Sequence, residues 1–143
     1  MAVINVPTQG LSIIINGTAI TDLIQGDVIT ITPANAVSEQ VNSADGGVTI
    51  TKRVDSDVHD IMIPVQKGSG SDVYLNSVVN STDVTVLSGT IRQNYVKDGV
   101  VLADSWSLQN GSMTGRPTMT HNNETGNAVM EYTMRFRSAK RAM

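Results

Sequence analysis

Short runs of alternating apolar and polar residues, cut by turn-forming pairs, recur along this chain from end to end. Leu11–Ile15 and Thr18–Thr21 flank Asn16-Gly17, a pair that readily takes the positive φ angles of a tight turn, so the spacing predicts a hairpin. Asp27–Thr32 alternates Val28, Thr30 and Thr32 against Ile29 and Ile31, a third strand ended by Pro33, which has no N–H to give a ladder. Val48–Val54 and Val58–Val65 lie on either side of Asp55-Ser56-Asp57 and predict a second hairpin, with Pro64 near a strand end.

Between these pieces, residues 34–47 (ANAVSEQVNSADGG) show no period. Connections in compact domains typically run to about 4–6 residues. The length therefore points to a functional loop that meets another subunit through Val37, Glu39, Gln40, Val41, Asn42 and Asp45.

Lys67-Gly-Ser-Gly-Ser71 breaks the strand pattern, and Ser71 can cap a short helix over Asp72–Asn80 with Leu75, Val78 and Val79 on one face. Further strands are expected over Val84–Lys97, Val100–Asn110, Ser112–Thr120 and Ala128–Arg137, with turns at Asp98-Gly99, Asn110-Gly111 and His121–Asn127. Strands, one helix, then strands describe a mainly β fold, an antiparallel sandwich or barrel with one short flanking helix.

The last strand separates its faces cleanly. Met130, Tyr132, Met134 and Phe136 point one way, and Glu131, Thr133, Arg135 and Arg137 the other. A partner strand sets Met113, Pro117 and Met119 against Thr114, Arg116, Thr118 and Thr120. Thr114, Arg116, Thr118, Glu131, Thr133 and Arg135 should thus share a broad polar face, with Glu131 placed to neutralise Arg116 or Arg135.

Composition narrows the function classes. The 143 residues fit a single domain, 1–143, with a polar, basic and loosely ordered tail at 138–143. Apolar residues make up 40% and charged ones 16%, and aromatics are scarce, so the core is built from β-branched side chains and Met. A net charge of -3 and a pI near 5.1 oppose a surface that grips phosphates. Without cysteine there is no disulfide framework, and no run reaches membrane-spanning length.

Chemistry-bearing residues are few. Asp55, Asp57, His59 and Asp60 could ligate a divalent metal, but Asp and Ser at a hairpin tip more simply satisfy turn backbone groups, and alternation puts His59 and Asp60 on opposite faces. Gly68-Ser-Gly-Ser71 lacks the Gly-Lys-Ser/Thr of a phosphate cradle. His59 and His121 are the two imidazoles available as a base, and neither sits in a catalytic motif. Neither enzyme activity nor a cofactor is expected. Arg135, Arg137, Lys140 and Arg141 form a basic patch, either a contact for an acidic partner or a solvated strand end.

The initial Asn16-Gly17 hairpin, the long loop at 34–47, the strand His59–Val65 leading through Lys67-Gly-Ser-Gly-Ser-Asp72 into Val73–Val79, and the final paired strands together resemble the tail tube proteins of contractile-tailed bacteriophages, in particular the PhiTE-like family. The resemblance spans nearly the whole chain. It implies two packed antiparallel sheets with a flanking helix, closed into hexameric rings that stack into a hollow tube. It further implies sheath, baseplate and tail terminator proteins as partners, DNA in transit without stable binding, no membrane insertion, and a place in the virion tail after assembly in the host cytoplasm. A tube of a related contractile secretion system or an exported β-sandwich adhesin would share this texture.

Overall fold

A computed structural model describes residues 2–7, 10–23 and 28–143. Nine of its strands share one antiparallel sheet. At one end lie β1 (Ile4–Asn5), β2 (Leu11–Ile15) and β3 (Thr18–Ala19), and at the other β4 (Thr30–Pro33). Two further strands, β5 (Ser38–Asn42) and β6 (Val48–Lys52), form a separate ribbon. Then follow β7 (His59–Gln66), helix α1 (Gly70–Val79), β8 (Leu87–Lys97), β9 (Val100–Met113), β10 (Thr118–His121) and β11 (Ala128–Ala142).

The sheet runs β3-β2-β8-β9-β11-β7-β4, with β1 added to β8 and β10 to β11. The expected layers are thus hydrogen-bonded into one continuous sheet. The long strands β9 and β11 make this possible. β11 pairs with β7 on one side and, on the other, with β10 near its start and β9 towards its end.

Alternation decides what is buried. Ile13 and Ile15 of β2, Ile61, Ile63 and Val65 of β7, Leu87 and Ile91 of β8, Leu108 of β9 and Tyr132, Met134 and Phe136 of β11 meet in one core. Helix α1 covers it with Leu75, which is buried, while Val78 and Val79 pack at its margin. The helix starts earlier than Ser71 predicts. Ser69 is the cap, its Oγ accepting from Asp72 N at 3.2 Å, and the Gly68 N donates to Asp72 Oδ2 at 2.8 Å. Ser71 is buried instead, where its Oγ accepts from Thr21 N at 2.8 Å and holds the helix to the chain after β3.

Four sequence expectations need correction. Val48–Lys52 pairs with Ser38–Asn42 inside the supposed loop, and not with β7, because the tight turn forms at Asp45-Gly46-Gly47. There Ser43 N donates to Gly47 O at 2.8 Å and Gly46 takes a φ of 91°, while the Asp55–Asp57 segment merely carries the chain into β7. Asn110-Gly111 is no hairpin turn. It lies inside β9, where Asn110 has a φ of 55° and the register with β8 slips at a bulge. Gly111 is needed there because a Cβ would penetrate the ring of Phe136. Residues 138–142 continue β11, with Ala139 opposite Leu108 and Arg141 opposite Trp106. The third strand is shorter than Asp27–Thr32, and Asp27 itself lies outside the described residues.

Pro64 sits within β7 and is tolerated for a positional reason. Gln66 N donates to Asp22 O, so the Pro64 nitrogen, two residues away, faces the same edge beyond the end of β4 at Thr30.

Candidate functional site

Two surfaces stand apart from the core: the β5–β6 arm and the outward face of β4, β7 and β11. In the arm, all ten strand residues are exposed. Val41 and Ile50 are each 67% exposed, and Val37, Val48 and Val54 are exposed as well. Opposite residues of an antiparallel pair share a face, so Ile50 and Val48 lie with Gln40 and Asn42, and Val41 lies with Glu39, Thr49 and Thr51. The arm therefore carries apolar side chains on both faces. A two-stranded ribbon with no layer against it is marginal in water.

Its two ends are nevertheless fixed. At the tip, Asp45 Oδ1 accepts from Ser43 Oγ and from Gly47 N, and these bonds, the Ser43 one foremost, hold the carboxyl below its usual range. At the base, Arg53 N donates to Val37 O at 2.8 Å. The Arg53 guanidinium pairs with Glu39 and with both oxygens of Asp55, each at 3.0 Å, which lowers the Asp55 carboxyl. Of the residues expected in an inter-subunit loop, Val37, Glu39, Gln40, Val41, Asn42 and Asp45, the middle four lie in β5 or its base pairings and Asp45 lies at the tip.

The second surface is the polar face expected around β11. Thr118 is opposite Glu131, Thr114 N donates to Thr133 O at 3.2 Å, and the hydroxyls of Thr114 and Thr133 are 3.2 Å apart. Arg135 belongs to the same face but pairs with Asp60 of β7, at 2.7 and 3.0 Å, and not with Glu131. The guanidinium beside Asp60 holds that carboxyl below its usual range. Arg116 leaves the face: its Nη1 donates to Asn80 Oδ1 at 2.7 Å, at the C-terminal cap of α1. Thr30, Thr32, Asp60 and Met62, which sequence reasoning missed, complete a shallow depression of about 540 Å³ with Thr114, Thr133 and Arg135. The β7 register, with Asp60 opposite Arg135 and Met62 opposite Thr133, brings them in. Matching the alternation of His59–Val65 to that of β11 would have found it.

The candidate metal cluster is dispersed. Asp55 pairs with Arg53 and Asp60 with Arg135. The His59 ring stands edge-on to Trp106 at 5.4 Å, and its Nδ1 donates to Asp57 O at 2.8 Å. Among the described residues no group of three or more acidic or imidazole side chains is placed to hold a metal, and no helix is long and apolar enough to cross a membrane. The basic patch is largely paired too. Arg141 forks onto Asp104 and Arg137 donates to Val54 O at 3.3 Å.

No protein-family model matches the chain, and neither does any curated protein sequence. Solved structures do match. One is a chain of the sheath–tube complex of the PVC extracellular contractile injection system in its extended state, with 13% identity, a TM-score of 0.63, and 96% of this chain and 90% of that chain covered. Another belongs to the sheath/tube terminator of the same system, with 13% identity, a TM-score of 0.67 and 96% of both chains covered. A third is a chain of the anti-feeding prophage tube-terminating cap, with 14% identity, a TM-score of 0.65, and 96% of this chain and 91% of that chain covered. The chain is thus a mainly β, antiparallel protein that shares its fold, over nearly its whole length, with chains of contractile injection assemblies.

Proposed function

We propose that this protein is a structural subunit, not an enzyme, that assembles with copies of itself into the inner tube of a contractile tail. The exposed β5–β6 arm carries this reading: its ten strand residues, with apolar side chains on both faces, belong to a fold shared with a sheath–tube chain and have no layer against them among the described residues. Contact with a neighbour would cover them, and joining of neighbouring sheets would also remove free strand edges.

In this reading the subunits form hexameric rings that stack, with sheath, baseplate and terminator proteins as partners. The polar face of Thr114, Thr118, Glu131, Thr133 and Arg135 lines the bore, and Arg135 is neutralised by Asp60 so that passing DNA is not held. A phage tail of the PhiTE-like type, assembled in the host cytoplasm and conducting a genome, is the specific form proposed. A second form is favoured by the structural neighbours: the tube of an extracellular contractile injection system.

Negative-stain electron microscopy and light scattering of the purified protein test the common core of both forms. Rings or tubes should appear as concentration rises. Replacing Ser38–Lys52 by a short Gly-Ser linker between Val37 and Arg53 should leave the fold intact and abolish them. A protein that stays a single chain at all concentrations, or that builds tubes without its arm, overturns the proposal.

A further inference from the structure

The core face of the sheet continues beyond the point where this chain covers it. On β8, Ile91 is buried, and Tyr95 and Lys97 lie on its side of the strand. On β9, Leu108 is buried, and Trp106, Asp104, Leu102 and Val100 follow on that side. The register joins the two rows: Ile91 is opposite Trp106, Tyr95 opposite Leu102, and Lys97 opposite both Val100 and Ile4 of β1. Past Trp106 this face opens to solvent, with Leu102 38%, Val100 58% and Ile4 60% exposed. Beyond Gln93 and Asp104, which Arg141 covers, this apolar stretch of sheet has no second layer among the described residues.

The arm is the converse, a ribbon without a surface to lie on. Its strands advance four residues from Ser38 to Asn42, about 14 Å at the rise of an antiparallel strand, and the open row runs from Leu102 to Val100 and across the strand pairs to Ile4, Asp104 being covered by Arg141. Charge points to the same occupant. The arm ends in the carboxylate of Asp45, and the uncovered face ends at Lys97, which has no ion-pair partner among the described residues. The chain's own arm does not fill the place, since both of its strands are exposed throughout.

Building on the self-assembly proposed above, we infer that the outer end of the β1–β8–β9 face, Ile4, Tyr95, Val100 and Leu102 with Lys97 at its rim, is the seat for the β5–β6 arm of a second copy of this chain. Each copy then offers one arm and one seat. Such a head-to-tail contact repeats, and it closes into a ring or propagates along an axis according to the rotation between copies.

The chain contains no cysteine, so introduced thiols report this contact without background. A disulfide needs Cα atoms within roughly 7 Å, so its formation reads proximity directly. Ile50→Cys or Val41→Cys protein, mixed with Leu102→Cys protein, assembled and then oxidised or treated with a short bis-maleimide, should give covalent dimers that contain one copy of each variant. The double variants should give ladders of linked copies. Separately, Val100→Asp and Leu102→Asp, at exposed sites, should leave the melting temperature nearly unchanged and raise the concentration needed for assembly about tenfold or more. Assemblies that form normally but give no cross-link from either arm face, or only a bridge within one chain, overturn the seat while leaving self-assembly standing. Absence of any assembly by the unmodified protein overturns self-assembly and the seat with it.

Discussion

The phenol of Tyr132 donates to Asp72 Oδ1 across 2.6 Å and so ties the middle of β11 to the first turn of α1. The ring is completely buried, and burial followed by the neighbouring Asp72 carboxylate pushes its ionisation well above the ordinary value of 10.0. Tyr132→Phe keeps the packing and removes the donor, so it should lower stability by about 1–3 kcal/mol. The sign of the pH dependence follows from the raised value. Stabilisation from keeping the phenol neutral is fully present below 10.0, the ordinary value, and is lost as pH rises above it. Thermal melts in alkaline buffers should therefore fall more steeply for the native protein than for Tyr132→Phe. Parallel slopes would show that the bond does not couple helix to sheet.

Leu75 is the side chain by which α1 enters the core, and it is almost wholly buried among the core residues of the sheet. Leu75→Ala should cost about 2–5 kcal/mol, the range for a large-to-small change in a packed interior. Denaturant unfolding followed by Trp106 fluorescence measures it. A loss within about 0.5 kcal/mol, as at a surface site, would mean that the helix contributes little to the core.

The bulge in β9 provides a third test. Gly111 lies under Phe136, opposite it in the β9–β11 register, and a methyl group there would overlap the ring. Gly111→Ala should destabilise by about 1–3 kcal/mol through overpacking. Combining it with Phe136→Leu should cost less than the sum of the two single changes, since each site then yields to the other. Strict additivity in the denaturation midpoints would disprove the contact.

How far the sequence reveals these features depends on burial. Met130–Phe136 and His59–Val65 alternate visibly because one side of each strand is core, and α1 shows its spacing for the same reason. Ser38–Asn42 carries no period because neither of its faces is buried, and so a strand passes for a loop. Asn110-Gly111 misleads for a different reason: the positive φ that makes a hairpin turn also makes a bulge, and only the register of β8 against β9 separates them. The Arg135–Asp60 pair was hidden because strand order is not local. Asp60 is 75 residues away in sequence and becomes a neighbour only once β7 joins β11. Glu131, four residues from Arg135 on the same strand and face, looks the nearer partner and instead lies opposite Thr118 and Pro64.

That substitution of partners reshapes the test of the proposed bore. The Arg135 and Asp60 side chains are 55% and 44% exposed, so solvent screens their pair and it contributes little to stability, and removing it should leave assembly intact. Its value in a conduit is electrostatic. Asp60→Asn leaves the Arg135 guanidinium unpaired on the outward face, and Glu131→Lys adds a further cation beside Thr118 and Thr133. In tubes whose bore is that face, either change should cause DNA to be retained at low salt. Retention should fall as salt rises, with a logarithmic slope steeper by about 0.9 for each new phosphate contact on duplex DNA. Acidification should act in the same direction but late, because Arg135 lowers the Asp60 carboxyl: pairing holds above the ordinary value of 3.8 and is lost only as pH falls through the lower folded value. Filter binding and sedimentation of assembled Asp60→Asn and Glu131→Lys protein with DNA over a salt series read these slopes. Tubes that form normally and show no added DNA affinity for either variant would put the Thr114, Thr133 and Arg135 face on the outer wall, where its partner is the sheath and not the cargo.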